Sequence, residues 1–249
     1  MKILITGHTG FIGQSLWKYL SEFNDNELMG LDANDVRSFD ITKDNLSDVI
    51  HNKHEIDLVI HLAGIGGVRE SLENPKKYWD TNVEGTKKIL SFFKNNYVLV
   101  ASSSSQYEPH LNPYAASKHL IEYIPHKQVC FMRFHTVYGP NPRAKMFFDK
   151  LLNNELEYVT NHERDFIHID DLCRAMDTII TNKVVGTIDI GTGNPVKIDK
   201  IRPDLPVKLS TVGERQRTCA NTAKLNALGW KPNIDVRDFL KENGYEYNA

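Results

Sequence analysis

Along the first half of the chain, short apolar runs alternate with stretches of helical periodicity. KILIT, ELMGLD, DLVIHLA and YVLVASS have strand length and little polar alternation, the pattern of parallel strands covered on both faces. Between them, apolar positions recur at three- and four-residue spacing after Gly13, from Leu46 to Asn52 and from Pro75 to Lys94, which predicts crossover helices. The expected class is therefore α/β, with a Rossmann-type doubly wound parallel sheet. VCFMRF predicts one more buried strand after a helix that carries Tyr114.

From His135 onward Pro, Gly and Asn become frequent and the periodicity weakens, which predicts a smaller α/β lobe. RDFIHIDDLCRAMDTII, followed by the strand-like GTIDIGTG, predicts that the chain returns to the first domain. The expected boundaries are 1–134 with 160–192 for that domain, and 135–159 with 193–249 for the lobe.

The turn after KILIT reads Gly7-His8-Thr9-Gly10-Phe11-Ile12-Gly13 and runs directly into a helix. Glycines in such a turn let backbone N–H groups at a helix N-terminus approach a pyrophosphate. The next apolar run ends in Asp32, where a carboxylate can accept hydrogen bonds from the hydroxyls of an adenosine ribose. An acid there repels a 2′-phosphate, so the expected cofactor is NAD rather than NADP, and the first domain is expected to be its binding domain.

Tyr114-Ala-Ala-Ser-Lys118 places a phenol and an ammonium four residues apart, on one helical face. A free phenol titrates near pH ~10. A neighbouring ammonium and a positive nicotinamide ring favour the phenolate, which makes Tyr114 a candidate proton acceptor. Ser102, Ser103, Ser104 and Ser105 close the preceding strand, at the carboxyl edge where ligands bind in such sheets.

Composition narrows the partners. The 249 residues are 41% hydrophobic and 25% charged, with a net charge of −2, which argues against nucleic acid or an anionic membrane as partner. The three cysteines, Cys130, Cys173 and Cys219, are widely spaced, which favours a reduced compartment; the expectation is a cytoplasmic protein with no membrane span. Ten histidines are present, but they lie on separate segments with no convergent acids, so no metal is expected.

GHTGFIG, Asp40-Ile41, HLAG (61–64), NVEGT (82–86), SSSSQY, YAASK, RFHTVYGP, RDFIHIDD, GTG and GERQRTCANTAKLNALGW follow one another in order. In this series the chain resembles the extended short-chain dehydrogenases acting on nucleotide sugars, the NAD-dependent epimerase/dehydratase family. The resemblance implies NAD contacts from Gly7, Gly10, Phe11, Ile12, Asp32, Asp40, Ile41, Leu62, Ala63, Gly64, Tyr114 and Lys118. It implies a catalytic set of Ser103, Tyr114 and Lys118: Ser103 hydrogen-bonds the reacting sugar oxygen, Lys118 binds the nicotinamide ribose and lowers the Tyr114 pKa, and Tyr114 takes the proton from the sugar hydroxyl. It also implies a UDP-sugar substrate held by Ser103, Ser104, Thr136, Arg143 and Glu214, and a homodimer formed by the helix from Pro75 and the helix after Tyr114.

Dehydrating and decarboxylating relatives carry acids where this chain has Ser104 and Ser105, so the resemblance implies a C4 epimerase. UDP-glucose/UDP-galactose interconversion stands first, and UDP-glucuronate 4-epimerisation second, on Thr136, Arg143 and the GVRES stretch at Arg69. A nucleotide-sugar oxidoreductase and a non-catalytic NAD-binding protein remain as further alternatives. The chain departs from the family pattern in three places: EPHLNP is short between Tyr107 and Tyr114, Glu108 replaces a glycine, and Thr211 replaces an arginine, a loss that Arg215 or Arg217 could make good.

Overall fold

The computed structural model describes residues 1–22, 26–36, 38–209 and 212–247. In chain order the elements are β1 (Lys2–Thr6), α1 (Phe11–Glu22), β2 (Glu27–Leu31), α2 (Leu46–Val49), β3 (Leu58–His61), α3 (Val68–Glu73), α4 (Pro75–Tyr78), α5 (Gly85–Phe92), β4 (Tyr97–Ser103), α6 (Pro113–Ile121) and β5 (Val129–Phe134). There follow β6 (Thr136–Tyr138), α7 (Phe147–Leu152), β7 (Val159–Thr160), β8 (Glu163–Arg164), β9 (Phe166–His168), α8 (Ile169–Thr181), β10 (Gly186–Ile190), β11 (Val196–Lys197), β12 (Val207–Lys208), α9 (Ala223–Ala227) and α10 (Val236–Glu242).

The main sheet has six strands in the order β10-β5-β4-β3-β1-β2. β1 pairs in parallel with both β2 and β3, and β3 with β4. The register sets Thr6 opposite Leu31 and His61, and His61 opposite Val100. Gly7, Asp32, Leu62 and Ala101, the next residue of each strand or turn, therefore emerge along one carboxyl edge. Chain order reverses between β1 and β3, and ligands of open α/β sheets bind in the crevice at such a reversal. β3 is buried at all four positions, as its unbroken apolar run requires.

Two compact units emerge, Met1–Arg133 with Lys183–Ile188, and Phe134–Asn182 with Asp189–Ala249. The core of the first includes Leu4, Val59, Ile89, Phe93, Val98, Ile121 and Phe131. In the second, Tyr138 is fully buried, stacks on Phe148 at 5.0 Å and meets Phe166 and Phe239 edge-on. The expected boundaries differ from these at 134, 160–182 and 189–192, which fall in the second unit. For 160–182 the reason is pairing: Thr136, Val137 and Tyr138 of β6 run parallel to Phe166, Ile167 and His168 of β9, and α8 continues from β9.

The helix expected from Pro75 to Lys94 is found as an unbroken helical run from Pro75 to Phe92, within which the turn type changes. α4 and α5 are separated by a π-helical turn over Trp79–Glu84. Such turns insert an extra residue per turn and often occur at functional sites. Here the turn carries Asn82, which is 1% exposed.

Candidate functional site

The glycine turn is shaped by close approaches. Gly7 has φ of 75°, its N–H donates to the Leu31 carbonyl at 2.9 Å, and a Cβ on it would stand 2.6 Å from the Ala63 nitrogen. A Cβ on Gly13 would collide with the Gly7 carbonyl oxygen and stand 2.6 Å from the His8 Cα. Gly10 is different: the nearest atom to its Cβ position is 3.4 Å away, so its outer side is open. α1 starts at Phe11 and is long enough to present a full helix N-terminus to an anion.

Asp32 follows β2 and is 8% exposed; its carboxylate accepts from the Thr9 N–H at 3.2 Å and the Asn34 N–H at 2.9 Å. Asp40 accepts from the Thr42 hydroxyl at 2.6 Å and pairs with Lys43 at 2.9 Å; these contacts hold its carboxyl down to about 2. Ile41 is 7% exposed, with its side chain in the core, so any ligand contact there falls to its backbone. Leu62, Ala63 and Gly64 leave β3 at the same edge, with Ala63 N–H donating to the Thr6 hydroxyl at 3.2 Å.

β4 ends at Ser103, which is 7% exposed, and its hydroxyl accepts from the Ser105 N–H at 3.1 Å. Ser104 is also buried, in the 3-10 turn Ser104–Tyr107. Asn112 caps α6 by accepting from the Ala115 N–H at 2.7 Å, and Pro113 occupies the first helical position. The cap places Tyr114 in the first turn, with its ring edge-on to Tyr78 at 6.1 Å. One turn on, the buried Lys118 ammonium donates to the Ala101 carbonyl at 2.7 Å, and burial pushes its pKa down to about 8.

Asn82 was not singled out in the sequence, although it opens the NVEGT motif. Its amide accepts from the Ile65 N–H at 2.9 Å and donates to the Ile65 carbonyl and the Ser117 hydroxyl, each at 3.0 Å. It thereby ties the loop after β3 to the helix bearing Tyr114 and Lys118. A Cβ on Gly64 would lie 3.1 Å from the Asn82 Oδ1 and 3.5 Å from the Lys118 Nζ. His61 sits below, between the hydroxyls of Thr6 at 2.7 Å and Thr86 at 3.2 Å; burial, then the Lys118 charge, lowers its pKa to about 3 and keeps it neutral.

In the second unit, Thr136 opens β6 and donates its N–H to the Asp165 carbonyl at 3.0 Å, while Arg143 is exposed. Glu214 lies 3.5 Å from the Arg164 guanidinium and 3.7 Å from His162. Burial lowers the Arg164 pKa against the opposing pull of Glu214, and the nearby Arg215 charge lowers it further. Arg217 pairs with Glu163 at 2.9 Å, and Thr211 lies outside the described residues. His135 has a side chain with no exposed surface, set between Asp165 at 4.0 Å and Asp189 at 3.6 Å. A cavity of about 260 Å³ in this unit is lined by Phe166, Thr192, Asn233, Ile234 and Asp235 among others, none of them a residue singled out in the sequence.

Among the described residues, no group of three His, Cys, Asp or Glu could hold a metal, and no helix is long and apolar enough to cross a membrane.

The glycine turn, the acid at the end of β2 and the Tyr114/Lys118 face lie within residues 3–191, which match the NAD dependent epimerase/dehydratase family. The chain belongs to that family. Within it, a UDP-glucuronate 4-epimerase of Thermodesulfobacterium geofontis is 30% identical, covering 96% of this chain and 93% of the relative. A putative UDP-glucose 4-epimerase of Methanocaldococcus jannaschii is 29% identical, covering 96% of each. Among solved structures, MoeE5 in complex with UDP-glucuronic acid and NAD superposes with a TM-score of 0.84 at 27% identity, over 97% of each chain. The Bacillus cereus UDP-glucuronic acid 4-epimerase with UDP-glucuronic acid and NAD gives 0.81 at 27% identity, again over 97% of each. The alignment with the Thermodesulfobacterium relative runs to 303 positions against 249 residues here, so this member of the family is a shortened one.

Proposed function

We propose that this chain is an NAD-dependent UDP-sugar 4-epimerase acting on UDP-glucuronate. The observation that carries the epimerase reading is the docking of α6: Tyr114 and Lys118 share one helical face, and the Lys118 ammonium is fastened to β4 two residues before Ser103. For the sugar, the reading rests on the UDP-glucuronate 4-epimerases among the relatives and on Thr136 and Arg143. It moves glucuronate ahead of the UDP-glucose/UDP-galactose pair that the sequence placed first.

The turn and strand ends fit NAD. The open side of Gly10 and the N-terminus of α1 suit a pyrophosphate, and the Asp32 carboxylate suits the ribose hydroxyls. Bound there, with Phe11, Ile12, Asp40, Ile41 and Leu62 to Gly64 around it, NAD supplies a reversible hydride acceptor.

The residues of the chain manage the proton and the orientation. The Ser103 hydroxyl hydrogen-bonds the oxygen at the reacting carbon. Tyr114 accepts the hydroxyl proton at its phenolic oxygen and returns it when the other face is reduced. Lys118 stabilises the phenolate and binds the nicotinamide ribose. Ser104 and Ser105 stand where an elimination would need acids, which favours epimerisation over dehydration. In the second unit, Arg164 and Arg215 are two like charges beside one carboxylate, suited to a diphosphate, with Glu214 for the uridine ribose and Thr136 and Arg143 for the sugar.

A homodimer is part of the proposal, through the helices before and after Tyr114, where Leu72, Trp79, Leu120 and Tyr123 are exposed apolar side chains. Sedimentation of the purified protein tests it; a monomer at micromolar concentration removes it.

The assay for the activity is chromatographic. Purified protein is incubated, without added NAD, with UDP-glucuronate, UDP-glucose, UDP-galactose and UDP-N-acetylglucosamine in turn. Conversion of glucuronate supports the reading, and conversion of neutral hexoses alone replaces it with the galactose-epimerase reading. Dependence on added coenzyme with stoichiometric NADH indicates an oxidoreductase, and no conversion of any sugar points to a non-catalytic NAD-binding role.

A further inference from the structure

Below the Tyr114/Lys118 face, α6 ends at Ile121 with Glu122 as its C-cap in helical conformation, so Tyr114, Lys118 and Glu122 follow one another at four-residue spacing along the same side. The Glu122 side chain is 5% exposed although it carries a carboxylate at the negative end of a helix dipole, an unfavourable place for an acid. Its surroundings compensate. Arg133, near the end of β5, donates from Nε to both carboxylate oxygens at 3.0 and 3.1 Å and from Nη2 to Oε2 at 2.7 Å. The Ser102 hydroxyl donates to Oε1 at 2.6 Å. Arg133 reaches on with Nη1 to the Tyr107 hydroxyl at 2.9 Å.

The successive anchors on β4 are thus the Ala101 carbonyl for Lys118 and the Ser102 hydroxyl for Glu122; the next residue is Ser103. The same cluster holds the end of β5 through Arg133 and the 3-10 turn after Ser103 through Tyr107. A helix held on a strand by apolar packing alone can slide by a fraction of a residue, because dispersion contacts are not directional. A forked guanidinium–carboxylate pair fixes both direction and distance.

We propose that Glu122 and Arg133 are positioning residues for the reaction: their ion pair sets the register of α6 on β4, and so the placement of Tyr114 and Lys118 relative to Ser103. Neither is among the residues proposed to hold substrate or cofactor. The proposal rests on the epimerase reading for its kinetic consequence, and on the structure alone for its geometric one.

The test compares Glu122→Gln, Arg133→Met and Arg133→Lys with wild type as purified holoenzymes. With whichever UDP-sugar the wild type converts, Glu122→Gln and Arg133→Met lower kcat about 10- to 100-fold, the scale of a misplacement of about 1 Å, while KM stays within about twofold and bound NAD stays near one per chain. Arg133→Lys, which keeps the charge but not the fork, recovers only part of the loss, and a full recovery would show that the charge rather than the fork sets the register. Folded variants that are less heat-stable but keep the wild-type kcat would show a purely structural pair and overturn the proposal. A crystal structure of Glu122→Gln decides the geometry independently of any activity. Lys118 moving out of hydrogen-bond reach of the Ala101 carbonyl supports the proposal, and an unchanged contact defeats it even where the wild type turns over no UDP-sugar and the epimerase reading itself has failed.

Discussion

The Lys118 ammonium donates to the Ala101 carbonyl at 2.7 Å from a residue only 8% exposed, and burial draws its pKa from 10.5 to about 8. A lysine in this state costs stability wherever it must stay charged. Because the unfolded chain holds the proton up to 10.5 and the folded chain only to about 8, the penalty is complete below about 8 and is relieved as pH rises through that window. The difference in unfolding free energy between wild type and Lys118→Met should therefore shift in favour of wild type between pH 8 and 10.5, by on the order of 3 kcal/mol. Denaturant melts at several pH values measure it, and a pH-independent difference means that Lys118 is not desolvated.

His61 shifts stability with pH in the same direction, but in an acid window. Its pKa falls from 6.5 to about 3, through burial first and the Lys118 charge second. The unfolded chain binds the proton first, so this contribution is intact above 6.5 and is lost as pH falls towards 3. His61→Gln should start less stable at neutral pH, having disturbed the contacts to Thr6 and Thr86, yet lose less stability than wild type between pH 6.5 and 4. Parallel acid melts of the two proteins would refute this.

The parts of the fold read most easily in the sequence are those governed by local pattern. Strands β1 to β5 each declare themselves as apolar runs, and Gly7, Asp32, Ser103, Tyr114 and Lys118 stand at strand ends or on one helical turn. What depends on distant partners is not legible in the same way. Asn82 bonds to Ile65 and Ser117, and its π-helical turn interrupts a periodicity that otherwise reads as one helix from Pro75. Glu122 looks like an ordinary acid at a helix end until Arg133 is seen opposite it. α8 reads as a crossover helix returning to the main sheet, and only the β6–β9 pairing reveals why it belongs with the second unit.

Two of the three glycines of the turn, Gly13 and Gly10, should fail in different ways. An added methyl at Gly13 collides with the Gly7 carbonyl and the His8 backbone, which cannot move without displacing β1 from α1, so Gly13→Ala should lose about 1–3 kcal/mol or more of stability. Gly10 has room, its nearest neighbour being 3.4 Å away. Gly10→Ala should keep its melting temperature within a few degrees of wild type but purify with less NAD, because the methyl stands where a pyrophosphate would approach. Ultraviolet absorbance of cofactor released on denaturation, set beside a thermal melt, separates the two; equal NAD content in Gly10→Ala and wild type removes that turn from the proposed site.

Tyr114→Phe keeps the ring that meets Tyr78 edge-on at 6.1 Å and removes only the hydroxyl. If that oxygen carries the proton, turnover should fall by about 100- to 10,000-fold, the usual scale for general acid–base catalysis, with bound NAD unchanged. A rate within a few fold of wild type would reassign the proton to another group.

Asp165 organises the second unit from a position with no exposed surface. One carboxylate oxygen accepts from the Thr192 N–H at 2.8 Å and hydroxyl at 2.7 Å, and the other from the N–H groups of Gly193 and Ala220, both at 2.8 Å. All four partners are donors, so the site demands two acceptor oxygens. In Asp165→Asn, either flip sets the amide NH2 against at least one backbone N–H, that of Thr192 or those of Gly193 and Ala220, so no flip of the side chain removes the conflict. The loss should be about 3 kcal/mol, from the broken bonds and buried N–H groups left without acceptors. It should appear as a lowered denaturation midpoint, with faster amide exchange at Thr192, Gly193 and Ala220 than at residues of β1 and β3. An Asp165→Asn protein as stable as wild type would mean that the loop 191–194 finds other acceptors and that this carboxylate does not hold it.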